Sequence, residues 1–301
     1  MPLLIRSLKY VGGKAKIVDW VIANLPGGTT YVEAFAGSAW VLLNKPRHKV
    51  EVYNDSDKTM VTFFRVLQDE EKAEKLIRKL EFTLYSREEF GKAIEIVKNP
   101  ANYSDIDVAW ARYIIQEEGF SGKPYPEIYS WGVDLQKKRR RGLWRKLKYL
   151  WLIHQRLEGV QIDNRDALDV IRYWDSPKTV FYLDPPYPPD TRKSKKLYGD
   201  NEQDAQFHEQ LIDLLCQISG SFALSSYPNP IYDQLVNRNV AYVLTHKSVA
   251  SSIGKTRLLR DKNIMGTKEW EDMIQRTECL YIKSNGYETQ PMLFRESAAD
   301  G

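Results

Sequence analysis

Asp184, Pro185, Pro186 and Tyr187 follow one another at the end of an apolar run, and their types suit chemistry on a flat polar ring. Each proline fixes its own φ and restricts the residue before it. The Asp184 carboxylate, both proline carbonyls and the Tyr187 ring are therefore presented rigidly. Residues 179–183, Thr-Val-Phe-Tyr-Leu, read as a buried strand, and the prolines forbid its continuation. A carboxylate, fixed acceptors and an aromatic face at the C-terminal end of a parallel strand fit a planar nitrogen base.

Other chemistry-bearing residues stand at the ends of similar elements. Gly12-Gly13-Lys14 precedes an amphipathic run, Ile17, Val18, Val21, Ile22 and Leu25, that predicts a helix. Two glycines there let backbone N–H groups approach an anion, with Lys14 beside the positive end of the helix. Residues 31–39, Tyr-Val-Glu-Ala-Phe-Ala-Gly-Ser-Ala, predict a strand and a small-residue turn, and an apolar helix follows. The three spaced glycines of a dinucleotide fingerprint are absent. Val50-Glu51-Val52-Tyr53-Asn54 alternates like a second strand and ends at Asp55, the usual place of a ribose-binding acid. Asp55 is equally suited to cap the next helix, with Ser56 and Asp57 as rivals. Residues 160–163 predict a further strand, after which Asp166 stands where it can cap a helix from Ala167.

Between these units, residues 58–159 read as consecutive helices, one opened by the capping box Ser86-Arg87-Glu88-Glu89 and another by Ser104. An aromatic-rich irregular loop follows at 119–132. Residues 137–148 then carry eight cations in twelve positions (Lys137, Lys138, Arg139, Arg140, Arg141, Arg145, Lys146 and Lys148), interleaved with Trp144. A solvated helix face normally mixes signs. This single-signed run predicts a phosphate-binding surface. A second cluster, with Arg192 and Lys195, follows the Asp184 turn. Two strands at 241–245 and 278–282 flank a polar stretch with Lys247, Lys255, Arg257, Arg260 and Lys262, a cationic hairpin suited to clamp nucleic acid. Gly254-Lys255-Thr256 is no P-loop, since Val249 fills the place of the first glycine.

The whole chain has 301 residues, 28% charged and 43% hydrophobic, which predicts a globular protein. The net charge of only +4 is clustered rather than spread. Cys216 and Cys279 stand apart without metal spacing, so no metal is expected and a reducing cytoplasm is. No stretch is apolar enough to span a membrane.

Asp-Pro-Pro-Tyr at 184–187 resembles motif IV of the amino-methyltransferases, in the form typical of adenine-N6 members. Lys9-Tyr10-Val11-Gly12-Gly13-Lys14 resembles motif X of the Dam-like DNA adenine methylases, and residues 35–39 are similar to their cofactor loop, with Ala39 in place of its last glycine. The resemblance covers residues 6–57 and 160–283. It implies an α/β fold: a Rossmann-like, seven-stranded, mostly parallel sheet with an inserted helical target-recognition domain. The catalytic domain would comprise 1–57 and 160–301, and the inserted domain 58–159. It implies S-adenosylmethionine as cofactor, with Tyr10 and Lys14 at its methionine end, Glu33, Phe35, Gly37 and Ser38 along it, Asp55 on the ribose and Asp166 on the adenine amine. Asp184 would border both cofactor and target.

An adenine N6 lone pair is delocalised into the ring, so the amine is a poor nucleophile. Accepting its hydrogens through Asp184 and the Pro185 carbonyl would draw the nitrogen toward tetrahedral geometry and stabilise the growing positive charge. Tyr187 would stack on the base, which must leave the duplex to be reached. The expected partner is duplex DNA, bound by a monomer. A cytosine-C5 enzyme needs a cysteine nucleophile, normally after proline, and Cys216 follows Leu215 while Cys279 follows Glu278. A cytosine-N4 enzyme, an RNA adenine methylase and a catalytically silent relative remain as alternatives at this point.

Overall fold

The computed structural model describes residues 4–9, 14–119, 131, 138–186, 205–249 and 275–286, with backbone alone over 138–145, 248–249 and 275–276. Seven strands make one sheet: β1 (Thr30–Glu33), β2 (Val50–Asn54), β3 (Val160–Asp163), β4 (Thr179–Leu183), β5 (Ser221–Ser226), β6 (Tyr242–Val249) and β7 (Gln275–Lys283). Their order is β3-β2-β1-β4-β5-β7-β6. β1 to β5 pair in parallel, and β7 lies antiparallel between β5 and β6. The expected α/β fold with a mostly parallel sheet is present. The tail strands run longer than the sequence predicts, because their polar outer residues continue the antiparallel ladder from Tyr242↔Ile282 to Val249↔Gln275.

β4 is central and buried along its whole length, as strands covered on both faces must be. One face turns Tyr31, Tyr53, Val180, Tyr182, Ala223, Leu280 and Ile282 into a single apolar cluster. Over it lie α1 (Val18–Ala23), α2 (Trp40–Asn44), α3 (Lys58–Gln68), α4 (Glu70–Glu81), α5 (Arg87–Lys98), α6 (Asp105–Glu118) and α7 (Lys138–Leu157). The other face presents Val32, Val52, Phe181, Leu183, Phe222, Leu224 and Tyr281 to α8 (Ala167–Trp174), α9 (Ala205–Gln217) and α10 (Pro230–Asn237). The helical stretch α3–α7 thus shares its core with the sheet. Arg156 of α7 reinforces the join: it donates to both Glu51 carboxylate oxygens on β2, at 2.6 and 2.9 Å, and to the Leu42 carbonyl at 2.6 Å.

Ser86 and Ser104 cap α5 and α6 by accepting from Glu89 N–H at 3.1 Å and Asp107 N–H at 3.2 Å. The cationic run expected to bind phosphate begins α7. Its spacing puts positions 138, 141, 145 and 148 on one side of that helix, while Leu147, Leu150, Ile153 and Leu157 line the buried one.

The turn after β1 forms with alanine, not glycine, at its last position. Gly37 lies at φ 48° and Ala39 at φ 55°, both left-handed, and Ala39 begins α2 with no side-chain cap. An L-residue there costs about 1–2 kcal/mol, offset by burial of the Ala39 methyl in the core. Ala39→Gly removes the strain together with one buried methyl, about 0.8 kcal/mol, so its stability should stay within about 1 kcal/mol of wild type. Ala39→Val puts a β-branched side chain on the same backbone and should lose about 2–4 kcal/mol. Urea unfolding of the two variants checks the order.

Candidate active site

Parallel pairing brings the C-terminal ends of β4, β1, β2 and β3 to one edge of the sheet, where α/β folds place ligands. Asp184, Pro185 and Pro186 follow β4 there, with Pro185 buried and Pro186 half-buried. Lys14, 170 positions away in sequence, sends its ammonium to Asp184 Oδ1 at 2.7 Å. Lys14 is only 5% exposed and Asp184 20%.

The N-terminal segment that delivers Lys14 is pinned at several points. Asn44 accepts from Ile5 N–H at 2.7 Å and donates to the Ile5 carbonyl at 3.1 Å, as a neighbouring strand would. Ser7 Oγ donates to the Ser38 carbonyl. Lys9 donates from Nζ to the Glu117 carbonyl at 2.7 Å and from its backbone to Glu117 Oε1 at 3.2 Å. After the turn closed by Ile17 N–H on Lys14 O at 2.9 Å, α1 buries Val18 and Val21. The expected helix is shorter than its apolar pattern, ending at Ala23 with Asn24 as its C-cap, and the Lys14 ammonium turns to Asp184.

Burial opposes the Lys14 ammonium, but the charge and hydrogen bond of Asp184, joined by Tyr182 and Glu278, together outweigh it and hold the lysine above its ordinary value. Burial pushes the Asp184 carboxyl up to about 6, with Lys14 drawing it back down. Asp184 is therefore ionised at neutral pH while titrating close to it.

Around this pair the strand-end loops are cross-linked. Asp55 accepts from Gly37 N–H at 2.7 Å and Asp57 N–H at 2.8 Å, and burial raises its carboxyl to about 6. Tyr53 donates its hydroxyl to the Gly37 carbonyl at 2.9 Å. The N-cap of α3 is Asp57, which accepts from Thr59 N–H at 2.9 Å and pairs with Arg112. Asp55 is thereby left at the mouth of the β1 turn. Asp166 caps α8 through Oδ1, from Leu168 N–H at 2.8 Å and Asp169 N–H at 3.3 Å.

Glu33 lies under this loop rather than along it. It is 2% exposed, and its Oε2 accepts from Tyr31 hydroxyl at 2.8 Å and Leu42 N–H at 2.9 Å. Phe35 is half-buried and meets Phe207 of α9 edge-on at 6.0 Å. Gly37 and Ser38 are buried within the turn.

Asn54 is a site-building residue that sequence reasoning passed over. Fully buried, it donates to the Ala34 and Arg165 carbonyls at 3.0 and 3.1 Å and accepts from Arg165 N–H at 2.9 Å. One amide thus ties together the ends of β1, β2 and β3. The only signal was an asparagine closing an apolar strand, which reads equally as a turn residue. Glu278 on β7 was also missed as a site residue; its charge acts on both Lys14 and Asp184.

Tyr10, Tyr187, Lys137, Arg192 and Lys195 lie outside the described residues, as do Lys255, Arg257, Arg260 and Lys262. Lys138, Arg139, Arg140, Arg141 and Arg145 fall in the opening turns of α7. Among the described residues no cluster of three or more His, Cys, Asp or Glu could hold a metal, and no helix is long and apolar enough to cross a membrane.

A search of curated proteins gives no match. The family model for D12 class N6 adenine-specific DNA methyltransferase matches residues 10–249, from the Gly-Gly-Lys segment through β6. A carboxylate held at the end of the central strand of a mostly parallel 3-2-1-4-5-7-6 sheet fits that assignment. With four-fifths of its length matched, the chain belongs to the D12 class N6 adenine-specific DNA methyltransferase family, enzymes that methylate adenine N6 in DNA.

Proposed function

We propose that Asp184 is the acceptor that makes the adenine amine nucleophilic, with the Pro185 carbonyl as second acceptor and Tyr187 as the stacking face. The observation carrying this reading is the buried Lys14–Asp184 contact at the end of β4. It keeps a carboxylate ionised and oriented where water is largely excluded, and there an acceptor stabilises growing positive charge most strongly. Pro186 fixes the turn through its φ. The target adenine is read as flipped out of duplex DNA, because N6 inside a duplex cannot reach a pocket at a strand end.

The family implies use of S-adenosylmethionine, and the residues at the sheet edge fit it. The left-handed Gly37–Ala39 turn offers small residues, and Asp55 is half-exposed at its mouth. Both hydrogen bonds to Asp166 use Oδ1, leaving Oδ2 to the exterior. Asp55 would hold the ribose and Asp166 the adenine amine. Phe35 would cover the apolar part, Tyr10 and Lys14 the methionine end, and Glu33 would support the loop from below. When bound, S-adenosylmethionine supplies an electrophilic sulfonium methyl.

Residues 1–57 and 160–301 would carry catalysis, while 58–159 would recognise DNA through α7. Arg192 and Lys195 would add phosphate contacts beside the site, and the enzyme would act as a cytoplasmic monomer. The free thiols Cys216 and Cys279 are in keeping with a reducing compartment.

The purified protein should place methyl groups from S-adenosylmethionine on adenine N6 of duplex DNA, read by mass spectrometry of digested nucleosides. N4-methylcytosine alone would refute the base, and methyl found only in RNA would refute the substrate. Asp184→Asn should lower kcat by about a hundredfold or more while DNA affinity holds, since phosphate contacts dominate binding. Near wild-type turnover would sink the assignment.

The reaction requires the Asp184 carboxylate, so kcat/KM should fall as pH drops through about 6, where that group protonates. Lys14→Met removes the ammonium that draws the value down, so the acid limb should move to higher pH. A limb that stays in place would show that Asp184 does not govern it.

Arg141, Arg145 and Lys148 fall on one side of α7 by their spacing, and Lys148 is exposed. Replacing all three by alanine should lower the slope of log affinity against log salt by about 0.9 per lost phosphate contact, with affinity for S-adenosylmethionine unchanged. An unaltered slope would mean a merely solvated face and move the search for the DNA surface to residues 119–132.

A further inference from the structure

Two phenylalanines at the mouth of the site are packed differently from those beneath it. Phe181 of β4 and Phe222 of β5 are fully buried in the apolar cluster under α8–α10. Phe35 and Phe207 pack against the same cluster but stay only half-buried. Their ring centroids stand 6.0 Å apart and their planes cross at 88°, which makes a right-angled corner rather than a stack. Phe35 lies two residues past the end of β1. Phe207 lies in the first turn of α9, the crossover helix between the parallel strands β4 and β5. That helix ends three residues before β5 begins, so its first turn stands at the opposite edge of the sheet, where β4 stops at Asp184. Beside Phe207, the fully buried His208 has Nδ1 2.7 Å from the Tyr232 hydroxyl of α10. This contact, with Leu211, Ile212 and Leu215 in the core, fixes the turn that carries Phe207.

β1 and β4 are neighbours in the sheet, so the corner stands between the loop that would hold S-adenosylmethionine and the Asp184 end of β4. A methyl group that is to meet an amine held by Asp184 in line has to lie between those two places, with its sulfur directly behind it. A sulfonium, like a quaternary ammonium, is a cation with no N–H to donate, and aromatic faces receive such ions. We propose that Phe35 and Phe207 form the sulfonium seat of the cofactor site, with Phe207 as a binding residue that tells the charged methyl donor from its neutral product, S-adenosylhomocysteine. The inference rests on the S-adenosylmethionine reading given above. The two ligands share their adenosine and amino-acid parts and differ in one methyl group and one positive charge. An apolar wall would hold them nearly alike, whereas a ring face favours the cation and lets the product go.

Calorimetric titration of the enzyme with each ligand, without DNA, reads this contact apart from turnover. Phe207→Leu keeps an apolar side chain and removes the ring. Its affinity for S-adenosylmethionine should fall about three- to tenfold, the range of a partly desolvated cation–π contact, while that for S-adenosylhomocysteine stays within about twofold. Phe207→Tyr keeps the ring face and should hold both affinities within about twofold of wild type. Equal losses for the two ligands in Phe207→Leu would reduce the ring to an apolar wall and overturn the proposal, as would unchanged affinity for both. If circular dichroism shows the leucine variant unfolded, Phe207→Met, whose flexible side chain fills irregular space, is judged by the same two affinities. Failure of the sulfonium seat leaves the cofactor reading standing; a wild-type enzyme that binds neither ligand removes both.

Discussion

The contact between Lys14 and Asp184 is the constraint on which the site depends. It joins segments 170 positions apart, and both ions are largely withdrawn from water. A buried ion pair seldom adds net stability, because desolvation costs several kcal/mol per ion. Its retention is better understood as specification: the carboxylate is kept ionised, aimed and partnered before any substrate arrives. For that to hold, residues 5–9 must be fixed, and Asn44, Ser38 and Glu117 do so from three separate elements.

The same edge of the sheet explains why the remaining groups converge. Parallel strands deliver all their outgoing loops to one end, so acids after β2 and β4 stand at the same edge without any special arrangement. What parallel pairing cannot do is hold irregular loops in register, and buried polar side chains take that role. Asn54 bonds to two neighbouring loops, Tyr53 to the Gly37 carbonyl, and Asp55 to Gly37 and Asp57. These bonds satisfy backbone groups that no ladder reaches. The helices α3–α7 are welded to the same sheet, through a shared apolar core and the Arg156–Glu51 pair. A DNA-contacting surface on α7 would therefore be rigidly referenced to the Asp184 edge.

Much of this was legible in the sequence, where chemistry is local. Strand 179–183 announced itself through apolar and β-branched residues and the two prolines that stop it. The caps at Ser86 and Ser104 followed from residue type, and so did the alternation of strand and helix. Roles that depend on side-chain direction were not legible. Asp55 and Asp57 were indistinguishable until one capped α3. Glu33 carries no local sign that its carboxylate turns beneath α2. Asn54 and Glu278 act across strands distant in the chain, and a single sequence holds no record of that proximity. Ala39 shows the reverse: a departure from the glycine pattern is absorbed by the backbone, at an energy cost, without loss of the turn.

The most direct test of the central claim is a structure of the enzyme with duplex DNA and S-adenosylhomocysteine, the product left after methyl transfer. An extrahelical adenine is expected, its N6 within about 3.2 Å of both an Asp184 oxygen and the Pro185 carbonyl. An adenine still stacked in the duplex, or one bound with N6 turned away from Asp184, would contradict it.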